Sequence, residues 1–202
     1  MEEYSGSNTV VLCGTAADAP RFSHESRGET FFTFPLEVRR LSGTADRLNV
    51  LVRESLLRQM PVRAGDRLVA AGELRSFNNR SGTGSRLVIS VFARTLRAGD
   101  ADDRNEVVLT GTLCKQPNLR ETPLGREICD LMLAVNRRCG RSDYLPCIAW
   151  GLLARETADR QVGEKLRLRG RIQSRRYVKL IGTEQTERTA FEVSVAEAER
   201  LT

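Results

Sequence analysis

The sequence predicts an all-β protein built as two tandem five-stranded barrels, each with one short helix between its third and fourth strands. Three observations predict it: the chain repeats itself at a fixed offset, its apolar residues alternate with a period of two, and a helix-forming stretch interrupts the run of strands. A chain of 202 residues is long for one small barrel and suits two domains of about 100 residues each.

The repeat is legible residue by residue. Asn8-Thr9-Val10-Val11-Leu12-Cys13-Gly14-Thr15 recurs 97 positions later as Asn105-Glu106-Val107-Val108-Leu109-Thr110-Gly111-Thr112. The same offset sets Pro20 on Pro117, Gly28 on Gly125, Leu36 on Leu133, Val38 on Val135 and Gly43 on Gly140. After one inserted residue, Gly65-Asp66-Arg67-Leu68 meets Gly163-Glu164-Lys165-Leu166, and Gly72 meets Gly170. The tails match as Leu87-Val88-Ile89-Ser90-Val91 against Phe191-Glu192-Val193-Ser194-Val195. Order and spacing hold over nearly the whole length, so chance is a poor explanation. The seam, Ala98 to Arg104, is polar and acidic and reads as a short linker. The expected modules are therefore residues 1–98 and 105–202.

Each module reads as five strands and a helix. In the second, Val107 to Leu113 is a β-branched run ended by Pro117, and Leu119 to Gly125 reads as a loop. Ile128 to Val135 and Asp143 to Trp150 follow as strands two and three. Gly151 to Glu156 is rich in helix formers. Lys165-Leu166-Arg167-Leu168-Arg169 alternates, with one face apolar and the other basic, and after a loop Ala190 to Ala196 alternates again. Five strands with a helix after the third is the order of the OB-fold, a Greek-key barrel. A generic five-stranded β domain has the same period, so the pattern alone reaches the class. In the first module Phe32 and Phe34 alternate toward a core, and Pro35 suggests an edge or a bulge.

Composition narrows the function classes. Hydrophobic residues make up 40% and charged residues 29%, ordinary values for a chain that buries a core. No apolar run approaches the roughly 18–20 residues that span a bilayer, so no membrane partner is expected. The N-terminus, Met1-Glu2-Glu3-Tyr4, is unlike a secretory signal, which points to the cytoplasm and, with a nucleic-acid ligand, to the nucleoid. Cys13, Cys114, Cys129, Cys139 and Cys147 are odd in number and form no metal-ligand spacing with the single His24, so neither a disulfide framework nor a metal site is expected. Net charge is +6, and of 32 basic residues only three are lysine. Arginine offers phosphate a planar fork and a base a flat face, although a GC-rich coding sequence yields the same excess.

The candidate binding residues lie in the second module. Tyr144 and Trp150 are an even number of residues apart on one strand and so share a face. Tyr177 follows the fourth strand. Arg137, Arg138 and Arg141 precede the first of these rings, and Arg175, Arg176 and Lys179 surround the last. Rings for stacking interleaved with cations for a backbone are what sequence-tolerant single-strand binding needs. The glycine-rich Ser81 to Ser85 lacks the lysine of a phosphate loop and reads as a hairpin tip. Asp66/Glu73 and Glu184/Glu187 stand beside no nucleophile, so no catalytic constellation and no cofactor is expected.

Ala134-Val135-Asn136-Arg137, then Asp143 to Ala154, then Val162 to Tyr177 resemble the bacterial single-stranded DNA-binding protein family, over residues 105–199. The resemblance implies a non-enzymatic protein of DNA replication, recombination or repair. It implies that Tyr144, Trp150 and Tyr177 stack on bases. It also implies four barrels per assembly, which a homodimer of this chain would supply. Family members carry a glycine- or glutamine-rich tail with an acidic tip that recruits other enzymes. Here Ala196 to Thr202 follows the last strand directly, which puts that route in doubt and suggests a specialised member, mobile-element or primosome-associated. In the first module Arg47 and Arg53 stand where Tyr144 and Trp150 would be, and Asn79 near Tyr177, with Phe77 as the nearby aromatic. That module is expected to be degenerate for stacking. Its Arg39, Arg40, Arg47 and Arg53 either guide phosphates or belong to an assembly surface. The rival reading of the whole chain is an interaction protein of a replication or primosome complex; RNA in place of DNA also remains open.

Overall fold

The computed structural model describes residues 8–79, 87–99, 102–137, 139–181 and 184–201. The chain forms two compact units. One joins Thr9–Arg75 to Ile89–Glu106, and the other is built on Val107–Thr202 and takes in Ser76–Val88.

In the first unit the strands are β1 (Asn8–Ala16), β2 (Arg21–Ser26), β3 (Glu29–Arg39), β4 (Ala45–Arg53), β5 (Arg67–Asn78) and β6 (Leu87–Ala98), with helix α1 (Glu54–Gln59) after β4. Their order is β2-β3-β4-β6-β5-β1, and β1 returns to β3 through Thr15↔Glu37 and Ala16↔Leu36 to close the barrel. The second unit repeats the plan with β7 (Arg104–Leu113), β8 (Asn118–Glu121), β9 (Glu127–Asn136), β10 (Ser142–Trp150), α2 (Leu152–Ala158), β11 (Lys165–Ile181) and β12 (Glu184–Leu201). Its order is β7-β11-β12-β10-β9-β8, closed by Thr112↔Ala134 and Leu113↔Leu133. In each barrel the third and last long strands run parallel, at Val50↔Val91 and Cys147↔Val193, the crossover of a Greek key. Both are OB barrels.

Three local features differ from the sequence expectation. Each barrel carries a sixth, short strand, β2 or β8, in what reads as a loop; every residue of both is exposed, so no apolar alternation announces them. Strands β11 and β12 extend as one long hairpin arm from Lys165↔Leu201 to Ile181↔Glu184, so Tyr177 lies within the fourth strand rather than after it. His24 is a β2 residue, its ring stacked 4.8 Å from that of Phe31. Pro35 lies in β3 where the β2 ladder has ended at Thr33 and the closure with β1 has not begun, so its missing N–H breaks no ladder bond. The Ser81 to Ser85 stretch lies outside the described residues.

The repeat is above all a repeat of the core. Leu12 and Leu109, Leu36 and Leu133, Leu48 and Leu145, and Leu68 and Leu166 are all fully buried. Each such side chain contributes roughly 1.5–3 kcal/mol of transfer free energy. Gly14 and Gly111 recur because β1 and β7 close on β3 and β9 there; a Cβ would strike the carbonyl of Glu37 or of Ala134. A polar pair recurs too. Asp46 and Asp143 are both 0% exposed. Asp46 accepts two bonds from Arg40, at 2.7 and 2.6 Å. Asp143 accepts from Arg137 Nε at 2.8 Å, from its Nη2, and from the Ser76 N–H at 2.6 Å. Arg137 Nη2 also donates to the Ser76 carbonyl at 3.1 Å, and the Tyr144 N–H donates to Ser76 Oγ at 2.8 Å. A buried carboxylate is tolerable only when its lone pairs are filled in this way. The polar seam is likewise anchored: Asp103 accepts from the Arg39 N–H at 2.6 Å and from the Arg67 guanidinium.

Candidate functional site

Alternation along β10 decides what meets solvent. Asp143, Leu145, Cys147 and Ala149 point inward and are buried, while Tyr144 is 51% and Trp150 38% exposed. A rise of about 3.3 Å per residue sets the two rings about 20 Å apart along one face, with Pro146 and Ile148 between them. Trp150 is the last residue of its strand. Gly151 turns the chain at φ 57°, a left-handed conformation that favours glycine. Its N–H donates to the Glu127 carbonyl at 2.9 Å and pins that end of the strand.

Tyr177 comes from the β11 arm. It is half-buried, and the Arg175 guanidinium lies 5.7 Å from its ring centroid. Arg141, Arg175 and Arg176 are exposed. Arg137 differs from the other cations, because its fork is committed to Asp143 and Ser76 and so braces the start of β10 below Tyr144. Arg138 lies outside the described residues; Lys179 is a β11 residue whose side chain also lies outside them. Tyr144 and Trp150 thus share one strand face, while Tyr177 and Arg175 come together on the arm and Arg176 lies on its other face.

Sequence reasoning missed two pairs on the face of Tyr144 and Trp150. Cys147 pairs with Val193 on the inward face, and Ile148, itself buried, with Ser194 on the opposite face, so Glu192, one residue from Val193, lies on that opposite face as well. Gln173 stands opposite Glu192, and its Nε2 donates to Glu192 Oε1 at 2.9 Å. Asp130 lies opposite Ile148 and accepts from Arg120 Nε and Nη2 at 2.5 and 3.0 Å. That hydrogen bond is the main reason the Arg120 guanidinium holds its proton more firmly than usual. Behind the sheet, burial pushes the Cys147 thiol far up, leaving it without nucleophilic character. The alternation of Ala190 to Ala196 was the available signal for Glu192, since it sets that residue opposite in sense to Val193.

The equivalent face of the first barrel is arginine-rich. Arg47 pairs with Asp18. Arg53 pairs with Glu29 at 2.9 Å, and its guanidinium lies 5.0 Å from the Phe92 ring centroid. Arg94 and Arg75 approach the same ring at 4.7 and 6.0 Å and both pair with Glu73. A polar cleft elsewhere on this unit is lined by Glu37, Arg39, Arg67, Asp102 and Asp103, with the Arg67–Asp103 pair inside it. Among the described residues no three His, Cys, Asp or Glu side chains are grouped to hold a metal, and no helix is long and apolar enough to cross a membrane.

The single-strand binding protein family model matches residues 104–201. The single-stranded DNA-binding protein of Clostridium tetani (strain Massachusetts / E88) is 38% identical over 102 residues, covering 46% of this chain and 70% of that one. Single-stranded DNA-binding protein B of Bacillus subtilis (strain 168) is 39% identical over 80 residues, covering 36% and 71%. Among solved structures, the wild-type single-stranded DNA binding protein from Thermus aquaticus superposes with a TM-score of 0.79 at 23% identity, over 98% of this chain and 94% of that one. At that identity the likeness is one of fold, and it extends over both barrels.

Proposed function

This chain belongs to the single-strand binding protein family, and from that membership we propose that it binds single-stranded DNA through its second module, residues 105–202, without catalysing a reaction. The observation that carries the reading is the exposure of Tyr144 and Trp150 on one face of β10 while each residue alternating with them is buried. Bases stack on Tyr144, Trp150 and Tyr177, each stack contributing roughly 1–3 kcal/mol. Arg141, Arg175 and Arg176, with Arg138 and Lys179, follow the phosphates, and each phosphate contact adds a salt-sensitive term through counterion release. Arg137 acts through Asp143 and Ser76 as a positioning residue for Tyr144. The first module, residues 1–98, is degenerate for stacking, since Arg47 and Arg53 replace the rings and are paired to Asp18 and Glu29. A homodimer presents four barrels, and light scattering tests it through a mass near twice 22.6 kDa. The role belongs to DNA replication, recombination or repair, where single strands are exposed.

Trp150 is the only tryptophan, so its emission reports on one face. Titration with oligo-dT at low salt quenches it, and added salt reverses the quenching steeply. Unchanged emission from folded protein at micromolar oligonucleotide defeats the reading, and tighter binding of an RNA oligomer of the same length reassigns the ligand.

A further inference from the structure

A carboxylate occupies the floor of the proposed groove. Glu192 is only 9% exposed and shares the outward face with Tyr144, Ile148 and Trp150. Gln173 holds its Oε1 at 2.9 Å. Its Oε2 forms an ion pair with Arg175 Nε at 3.9 Å, too long for a hydrogen bond, and the charge also lies in the field of Arg120; that oxygen accepts no hydrogen bond among the described residues. That oxygen is open to solvent, so a donor carried by a ligand can take the place of water on it. A phosphate cannot be that donor, because it is an anion and has no proton to offer. The donors a single strand brings to the floor of a groove are on its bases.

We propose that Glu192, oriented by Gln173, reads the edge of a base lying between Tyr144 and Trp150 and favours amino-bearing bases, cytosine over thymine. The inference rests on the single-strand binding reading above. Cytosine offers its 4-amino group to a carboxylate. Thymine offers at that edge a carbonyl oxygen, which a carboxylate repels, and its N3–H is flanked by two such oxygens. The two pyrimidines are matched in size, so the comparison isolates the edge. The same geometry orders the strand in the groove, with bases inward over Glu192 and phosphates outward.

The test uses the full chain and Trp150 emission, with oligo-dC and oligo-dT of equal length at one salt concentration. Glu192→Gln keeps the shape. With Gln173 still donating to the remaining oxygen, it turns an NH2 group toward the base. The dC-to-dT affinity ratio is expected to fall about tenfold from wild type to variant, the size of one good edge contact, with the salt slope of binding unchanged. A wild-type readout covers the case in which the variant fails to fold: an oligomer whose cytosine 4-amino group is replaced by hydrogen binds about fivefold more weakly than oligo-dC. A ratio that stays constant while both affinities rise together makes Glu192 a general repulsive charge and overturns the inference alone, as does equal binding of the two cytosine oligomers. Failure of wild type to bind any oligomer overturns the parent reading and this one with it.

Discussion

The two barrels carry one core and two different surfaces. Leu12, Leu36, Leu48 and Leu68 are buried in the first as Leu109, Leu133, Leu145 and Leu166 are in the second, and the Arg40–Asp46 pair is matched by Arg137–Asp143. Turn to the outward residues of the same strands and the match ends. Arg47 faces Asp18 where Tyr144 faces solvent, and Arg53 lies over Phe92 and pairs with Glu29 where Trp150 presents a ring. Arg75 stands for Gln173, and Ser90 for Glu192, since Val91 pairs with Val50 as Val193 pairs with Cys147. A β-strand permits this separation because its side chains alternate between faces. One set can stay fixed by packing while the other changes freely.

The largest expected effects test the shared half of the comparison. Asp143→Ala removes the acceptor of the Arg137 fork and of the Ser76 N–H from a fully buried site. Breaking a buried, hydrogen-bonded charge pair costs about 3–5 kcal/mol. Asp46→Ala, at the same place in the other barrel, is expected to fall in the same range. Urea unfolding measures both. If Asp46→Ala leaves the midpoint unmoved while Asp143→Ala shifts it, the two cores are alike in sequence only. Neither result depends on nucleic acid, so this prediction stands or falls apart from the functional reading.

The next effect tests the half that differs. Trp150→Ala, followed by anisotropy of a labelled oligo-dT, weakens binding by about 1–3 kcal/mol. The ring is more than half buried, so urea unfolding of the variant separates any loss of stability from the loss of binding. Arg53→Ala occupies the equivalent position, but its guanidinium is spent on Glu29 and the Phe92 ring. Its loss leaves affinity for the oligomer nearly unchanged. Equal losses from the two substitutions erase the functional distinction between the barrels and turn the arginine face of the first into a binding face in its own right.

The parts of this arrangement that sequence alone revealed are those that packing enforces. The leucines announced themselves by alternating and by recurring, and the outward placement of Tyr144 and Trp150 followed from their even spacing. Strands β2 and β8 left no such mark because they bury nothing and are held by backbone bonds to β3 and β9. The β11–β12 arm was hidden for a related reason, since Arg175, Arg176 and Glu187 give no apolar period. Arg137 read as one more cation in a basic loop; only the fold brings Ser76 and the buried Asp143 to it. Glu192 was hardest of all. An acidic residue in an outward strand position looks like a solvated face until its neighbours bury it.

The smallest expected effect concerns thiols, and it sharpens the same contrast between inward and outward positions. Cys147 is on the inward side of β10, within one residue of two outward-facing positions, and burial raises its thiol so far that no thiolate forms near neutral pH. Cys129 is raised for the same main reason. Cys139, by contrast, is an exposed free thiol in the turn before β10. A disulfide-exchange reagent at neutral pH should therefore label Cys139 quickly in the folded protein and reach Cys129 and Cys147 only after denaturant opens the barrel. Peptide mapping after brief labelling reads the order directly. Labelling of Cys147 as fast as Cys139 would mean that β10 exposes its inward face in the native state. The alternation that sets Tyr144 and Trp150 on the outside would then no longer define a fixed surface.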